Sequence, residues 1–138
     1  MKDLHRKGVF KDVPKGFGTK SKAFSEWEDK EVHFDSTWED TFFNKCVEMK
    51  VESLLREPIR IPYFREGNTT GIPNSYYPDF LLNSHYLIEI KPNYLLDANE
   101  EKFLAADLYC RENGLEYVIL TEDYLFNNGE PFYGSMPF

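Results

Sequence analysis

The chain has 138 residues, of which 41% are apolar and 17% aromatic, so one domain with a single hydrophobic core is expected and global disorder is excluded. The net charge of −8 argues against a nucleic-acid surface spread over the whole molecule. No apolar run approaches the roughly 18–20 residues of a membrane helix, and MKDLHRKGVF lacks the apolar segment of a secretory signal, so a cytoplasmic protein is expected.

The charge is unevenly spread. Residues 1–22 hold seven Lys or Arg against two Asp, a net +5, while the remainder holds nine basic and 22 acidic side chains, a net −13. This leader, with Lys7, Lys11, Lys15, Lys20 and Lys22, reads either as an arm that lies along nucleic-acid phosphates or as a solvated tail. Its glycines and Pro14 leave no periodicity, so an irregular arm is expected over residues 1–24. A short helix or turn over SEWEDKEVHF then leads into a short extended piece. Ser36 and Glu39 have the spacing of a capping box. Trp38, Phe42, Phe43, Cys46 and Val47 follow at helical intervals, and the pattern predicts a helix running through Leu54 and Leu55 to Arg56, before Pro58. Residues 59–64, IRIPYF, alternate as a strand that Pro62 makes an edge or a bulge, and EGNTTGIPNS is a loop. Residues 76–82 and 86–91 are predicted strands about Asn83, Ser84 and His85. A second helix is predicted over residues 99–113, closed by Gly114, then a buried strand over 116–121, a helical turn at 122–126 and an irregular aromatic end. Cys46 and Cys110 belong to no CxxC pair and read as reduced core residues.

The stretch YYPDFLLNSHYLIEIKP is strand-forming yet carries Asp79, Glu89 and Lys91. Alternation puts Leu87, Glu89 and Lys91 on one face and Tyr86, Ile88 and Ile90 on the other. A two-residue loop pairs Leu82 with His85 and turns Asp79 into the core. A three-residue loop, or a bulge of equal effect, pairs Leu82 with Tyr86, sets Asp79 opposite Glu89 and keeps Phe80 and Leu82 with Ile88 and Ile90. The second register is expected, with the charged face toward water. Carboxylates directly opposite one another repel. Lys91 offsets part of this, and a hard divalent cation, Mg²⁺ or Mn²⁺, offsets more. The plainer alternative is an exposed ion-pair patch of little energetic weight.

Pro78-Asp79, then nine residues, then Glu89-Ile90-Lys91, resembles the PD-(D/E)xK nuclease motif. The predicted order of helix, three strands, helix and strand over residues 35–123 resembles the restriction-endonuclease-like core of that superfamily. Within it, YYPDFLL…YLIEIKP followed by LAADLYCRENGLEYVILTED is most similar to transposon-end endonucleases, and phage head-completion nucleases share the fold. The resemblance implies that Asp79, Glu89 and the backbone carbonyl of Ile90 bind metal, and that Lys91 orients or helps deprotonate the attacking water. It also implies a glutamate on the first helix that completes the metal shell directly or through water. Glu39 matches that position, although the capping box competes for the same carboxylate, and Asp40 is the fallback. Arg56, Arg60 and Arg65 are candidates for outer phosphate contacts. Lys102 reads as a solvent-facing lysine, and His33 and His85 as ordinary polar residues.

The chain is thus expected to be α/β, a mixed central β-sheet flanked by helices in one domain. Its parts are a basic arm over residues 1–24, a nuclease-like core over 25–126 and an aromatic tail over 127–138. Its expected activity is Mg²⁺- or Mn²⁺-dependent hydrolysis of DNA phosphodiester bonds, with Glu39, Asp79, Glu89 and Lys91 catalytic, in phage DNA processing or recombination. The alternative is a non-catalytic DNA- or protein-binding adaptor on the same fold. DNA is the expected partner, with a protein partner or a second copy beside it and no membrane. The expected setting is the cytoplasm, that of a host, or a virion, for a phage-encoded chain.

Overall fold

The computed structural model describes residues 17–127 and 130–131. Strands β1 (Ser21–Ser25) and β2 (Lys30–Phe34) form an antiparallel hairpin. An irregular chain was expected as far as residue 24. The strand forms because Ser25, Val32 and Phe34 are buried under the first helix, and the alternation in KEVHF is too short to stand out in the sequence. Helix α1 (Thr37–Glu48) starts where expected, with Ser36 as its N-cap accepting the Glu39 N–H.

The helix ends at Glu48 and does not reach Arg56. Lys50 takes a left-handed φ of 53°, Lys50 N–H bonds the Val47 carbonyl, and Val51 N–H bonds that of Cys46. This is a Schellman closure made without glycine, so the sequence gives no stop signal. Leu54 and Leu55, read as helical, belong instead to β3 (Leu54–Arg56). Among the described residues, strands β4 (Ile61–Tyr63) and β5 (Asn74–Tyr76) pair only with each other, so residues 59–64 supply a side ribbon and not the first strand of the main sheet.

The main sheet runs β3-β6-β7-β8, with β6 (Phe80–Leu82), β7 (Tyr86–Ile90) and β8 (Glu116–Leu120). The first three strands are antiparallel and β8 runs parallel to β7 across the connecting helix α2 (Glu100–Asn113). Gly114, at φ 70°, closes that helix as expected. The short helix α3 (Glu122–Leu125) precedes two two-residue strands, β9 (Phe126–Asn127) and β10 (Glu130–Pro131). The core order is therefore αβββαβ in a mixed sheet flanked by helices. Among the described residues no helix is long and apolar enough to cross a membrane.

Two cores cover the sheet. Phe80, Leu82, Ile88 and Ile90 meet Phe34, Trp38 and Phe42 on one side. Leu87 meets Ala106 and Cys110 of α2, together with Ile61 and Tyr76 of the ribbon, on the other. Both cysteines are buried and free.

Leu82 pairs with Tyr86 and Phe80 with Ile88, the expected register. The means is the bulge. Asn83 and Ser84 are both left-handed, at φ 52° and 55°, and His85 N–H bonds the Leu82 carbonyl. The turn has two residues, and His85 is the extra residue that shifts the pairing by one.

Candidate active site

Continuing the β6–β7 register past Phe80↔Ile88 sets Asp79 opposite Glu89 and Pro78 opposite Ile90. Asp79 Oδ2 accepts the Ile90 N–H at 2.7 Å. Proline has no N–H to give to the Ile90 carbonyl in return, which gives Pro78 a structural reason to precede Asp79.

The charged face does not point to water as expected. Asp79 is only 8% exposed and Glu89 only 4%, and Leu87 on the same face is fully buried. Helix α2 and the β4–β5 ribbon cover that face. The carboxylates line the wall of a cleft of about 380 Å³, together with Ser36, Glu39, Tyr76, Lys91 and Lys102. Lys102, read as solvent-facing, is a cleft residue with Nζ 5.5 Å from the Tyr76 ring centroid.

Burial changes the chemistry of the pair. Desolvation, and then the charge on Glu89, hold the Asp79 carboxyl well above its usual range, against the opposing pull of the Ile90 N–H, Arg56 and Lys91. Glu89 is raised by burial, and Lys91, Tyr76 and Lys102 work against that shift. Lys91 Nζ lies 3.6 Å from Glu89 Oε2. The other oxygen, Oε1, accepts the Tyr76 hydroxyl at 2.7 Å. Burial and the Glu89 charge push the Tyr76 phenol far up, so it stays protonated. Its single proton is committed to Glu89, so Tyr117 is the donor in the 2.8 Å contact between the two hydroxyls.

Glu39 lies both at the start of α1 and on the cleft wall. Its Oε2 accepts the Ser36 hydroxyl at 3.2 Å, and Oε1 accepts the Asp35 N–H at 3.2 Å and Arg56 Nη2 at 2.5 Å. Burial first, and the Asp79 charge second, raise its pKa to about 7, with Arg56 pulling the other way. Asp40, the fallback, instead accepts from Ser21 and Asn44.

Arg56 departs most from its expected place. An outer phosphate contact is expected of it, yet its side chain is 7% exposed. Besides Glu39, it reaches Asp79 Oδ1 at 3.4 Å, the Asp79 carbonyl at 3.0 Å and the His33 carbonyl at 2.9 Å. Strand alternation puts Arg56 on the face of Leu54, toward the core. That signal was available only once the helix was known to stop at Glu48.

The other basic candidates are dispersed. Lys7, Lys11 and Lys15 lie outside the described residues. Lys20 is exposed, and Lys22 projects from β1 with Nζ 3.6 Å from Glu31. Arg60 donates to Ser75 and Arg65 to Tyr63. His33 is exposed beside Glu31, and His85 packs on Tyr86, both away from the cleft. Among the described residues no three His, Cys, Asp or Glu side chains gather as a metal cluster. Asp79 and Glu89 form a two-carboxylate set, and adjacent buried acids of raised pKa, beside a backbone carbonyl, fit a hard divalent ion by their chemistry.

A mixed αβββαβ sheet with Pro78-Asp79 entering one central strand and Glu89-Ile90-Lys91 leaving its neighbour is the restriction-endonuclease-like architecture of the PD-(D/E)xK superfamily. The family model described as TnsA-like endonuclease N terminal matches residues 48–122, more than half of the chain, and the chain belongs to that family. The match includes Arg56, Asp79, Glu89, Lys91 and Lys102 and leaves Glu39 outside. Comparison with curated proteins gave no match. Membership carries a nuclease-related function.

Proposed function

We propose that the chain is a divalent-metal-dependent endonuclease that hydrolyses phosphodiester bonds in DNA. The observation that carries this reading is the convergence of Asp79, Glu89 and Lys91 on one cleft, in a chain whose family is described as endonuclease. Asp79, Glu89 and the Ile90 carbonyl hold Mg²⁺ or Mn²⁺, which supplies Lewis acidity at the scissile phosphate and makes water a better nucleophile. Lys91 orients that water and offsets charge developing on the phosphoryl oxygens. Lys102, on the cleft wall, meets a neighbouring phosphate as a point charge. Tyr76 fixes the Glu89 carboxylate, and Glu39 enters the set through its bond to Arg56.

The body of the protein is acidic, so phosphate contacts come from Lys91 and Lys102 and from the basic leader with Lys7, Lys11, Lys15, Lys20 and Lys22. The family match favours recombination-type cutting over phage head completion as the setting. Cutting both strands takes two such sites, so a second copy or a partner nuclease belongs to the proposal.

Supercoiled plasmid incubated with the protein in Mg²⁺, Mn²⁺ or EDTA tests it, with Asp79→Asn alongside. Nicking or linearisation is expected only with metal and only with the unaltered chain. Cleavage retained by Asp79→Asn would refute the site. DNA binding without cleavage under any condition would shift the reading to the non-catalytic adaptor.

A further inference from the structure

We propose that Arg56 is a built-in counter-ion on the Glu39 side of the cleft, so that the site takes one divalent cation per chain and Glu39 anchors Arg56 without ligating metal. The inference rests on the endonuclease reading and specifies its metal site. Guanidinium is a permanent cation with a fixed donor fork, and here each of its three nitrogens faces an oxygen. Nη2 meets Glu39 at 2.5 Å, Nη1 meets Asp79 Oδ1 at 3.4 Å and its carbonyl at 3.0 Å, and Nε meets the His33 carbonyl at 2.9 Å.

Arg56 is also pinned in place. Its guanidinium carbon lies 5.4 Å from the Phe34 ring centroid and 5.3 Å from that of Phe80. Its backbone N–H donates to Glu28 Oε2 at 2.8 Å. Moving the guanidinium aside for a metal ion would break its bonds to the His33 and Asp79 carbonyls together with its ion pairs to Glu39 and Asp79.

Glu39 has little capacity left. Oε1 takes Arg56 and the Asp35 N–H, and Oε2 takes the Ser36 hydroxyl. At Oε1 a hard ion would compete directly with the guanidinium. With every acid ionised, as metal binding requires of its ligands, charge leads to the same count. Asp35, Glu39, Glu57, Asp79 and Glu89 line the cleft against Lys91 and Lys102, with Arg56 behind them, an excess of two negative charges. One divalent ion between Asp79 and Glu89 balances that excess, and a second would reverse it.

Counting bound Mn²⁺ by electron paramagnetic resonance and calorimetry tests the assignment without relying on turnover. It is done with and without a phosphorothioate-protected DNA duplex. The unaltered chain should bind one ion. Asp79→Asn should lose affinity at least about 10-fold, whereas Glu39→Gln should still take one ion. Arg56→Gln, if it folds, should gain a second and weaker ion, because Glu39 is released; a folded variant that still takes one ion overturns the counter-ion role. Two ions on the unaltered chain overturn the assignment and leave the endonuclease reading standing. No Mn²⁺ bound by the unaltered chain in either condition removes both.

Discussion

The two faces of β7 are both buried, yet they are built for different ends. Ile88 and Ile90 enter an aromatic core with Phe34, Phe42 and Phe80, where packing alone decides the fit. Leu87 and Glu89, on the opposite face, meet a smaller core that opens into the acidic cleft. The apolar face stabilises the fold. The other face carries carboxylates whose pKa values are raised by burial, a destabilising arrangement that only an added positive charge relieves. Two neighbouring residues on one strand can therefore differ in sign as contributors to stability, and the costly one marks the site.

The largest expected effect lies at Phe80. Phe80→Ala removes a fully buried ring from between Phe34 and Phe42 and should cost about 3–5 kcal/mol in urea denaturation. Glu89→Gln, on the opposite face, should leave the metal-free protein as stable as before, or more so, at pH 8; a comparable loss there would refute the contrast. Next in size is Lys91→Ala. Cleavage of plasmid should fall on the order of 10²–10³-fold, while Mn²⁺ affinity measured by calorimetry stays largely intact. A collapse of metal binding in that variant would contradict the role given to Lys91.

The pH dependence sharpens the same contrast. Glu39 moves from an ordinary 4.5 to about 7 in the folded chain, and Asp79 and Glu89 shift in the same direction. The folded state thus holds these protons more tightly than the unfolded state does. The contribution of Glu39 is largest below about 4.5 and declines as pH rises to about 7. In EDTA, melting temperatures recorded from pH 5 to 8 should show this decline, and Glu39→Gln should flatten it. Mn²⁺ binds the deprotonated acids, so it should raise the melting temperature at pH 8 far more than at pH 5. A uniform rise across that range would count against the acids as ligands. The smallest effect is expected from Tyr76→Phe, which removes the hydroxyl from Glu89 Oε1 and should weaken Mn²⁺ binding about 10-fold with the fold unchanged by circular dichroism.

Much of the frame was legible because its signals are local. Ser36 announces α1, Gly114 ends α2, and alternation from Tyr86 to Ile90 sorts β7 into two faces. The register that sets Asp79 opposite Glu89 followed from keeping Phe80 and Leu82 with Ile88 and Ile90, and the bulge at His85 delivers it. The end of α1 was not legible, since Lys50 adopts a left-handed conformation that no glycine advertises. That error hid β3, and with it the inward direction of Arg56.

From the sequence alone the start of α1, the end of α2, the pairing of the β6–β7 hairpin and the identity of Asp79, Glu89 and Lys91 as neighbours were legible, because turn chemistry and two-residue periodicity act over short distances. The burial of these groups, the arrival of Arg56 from another strand and the place of Lys102 on the cleft wall come from the packing of the fold. Burial and charge pairing arise between segments far apart in the chain, and only their packing fixes the distance between one charge and the next.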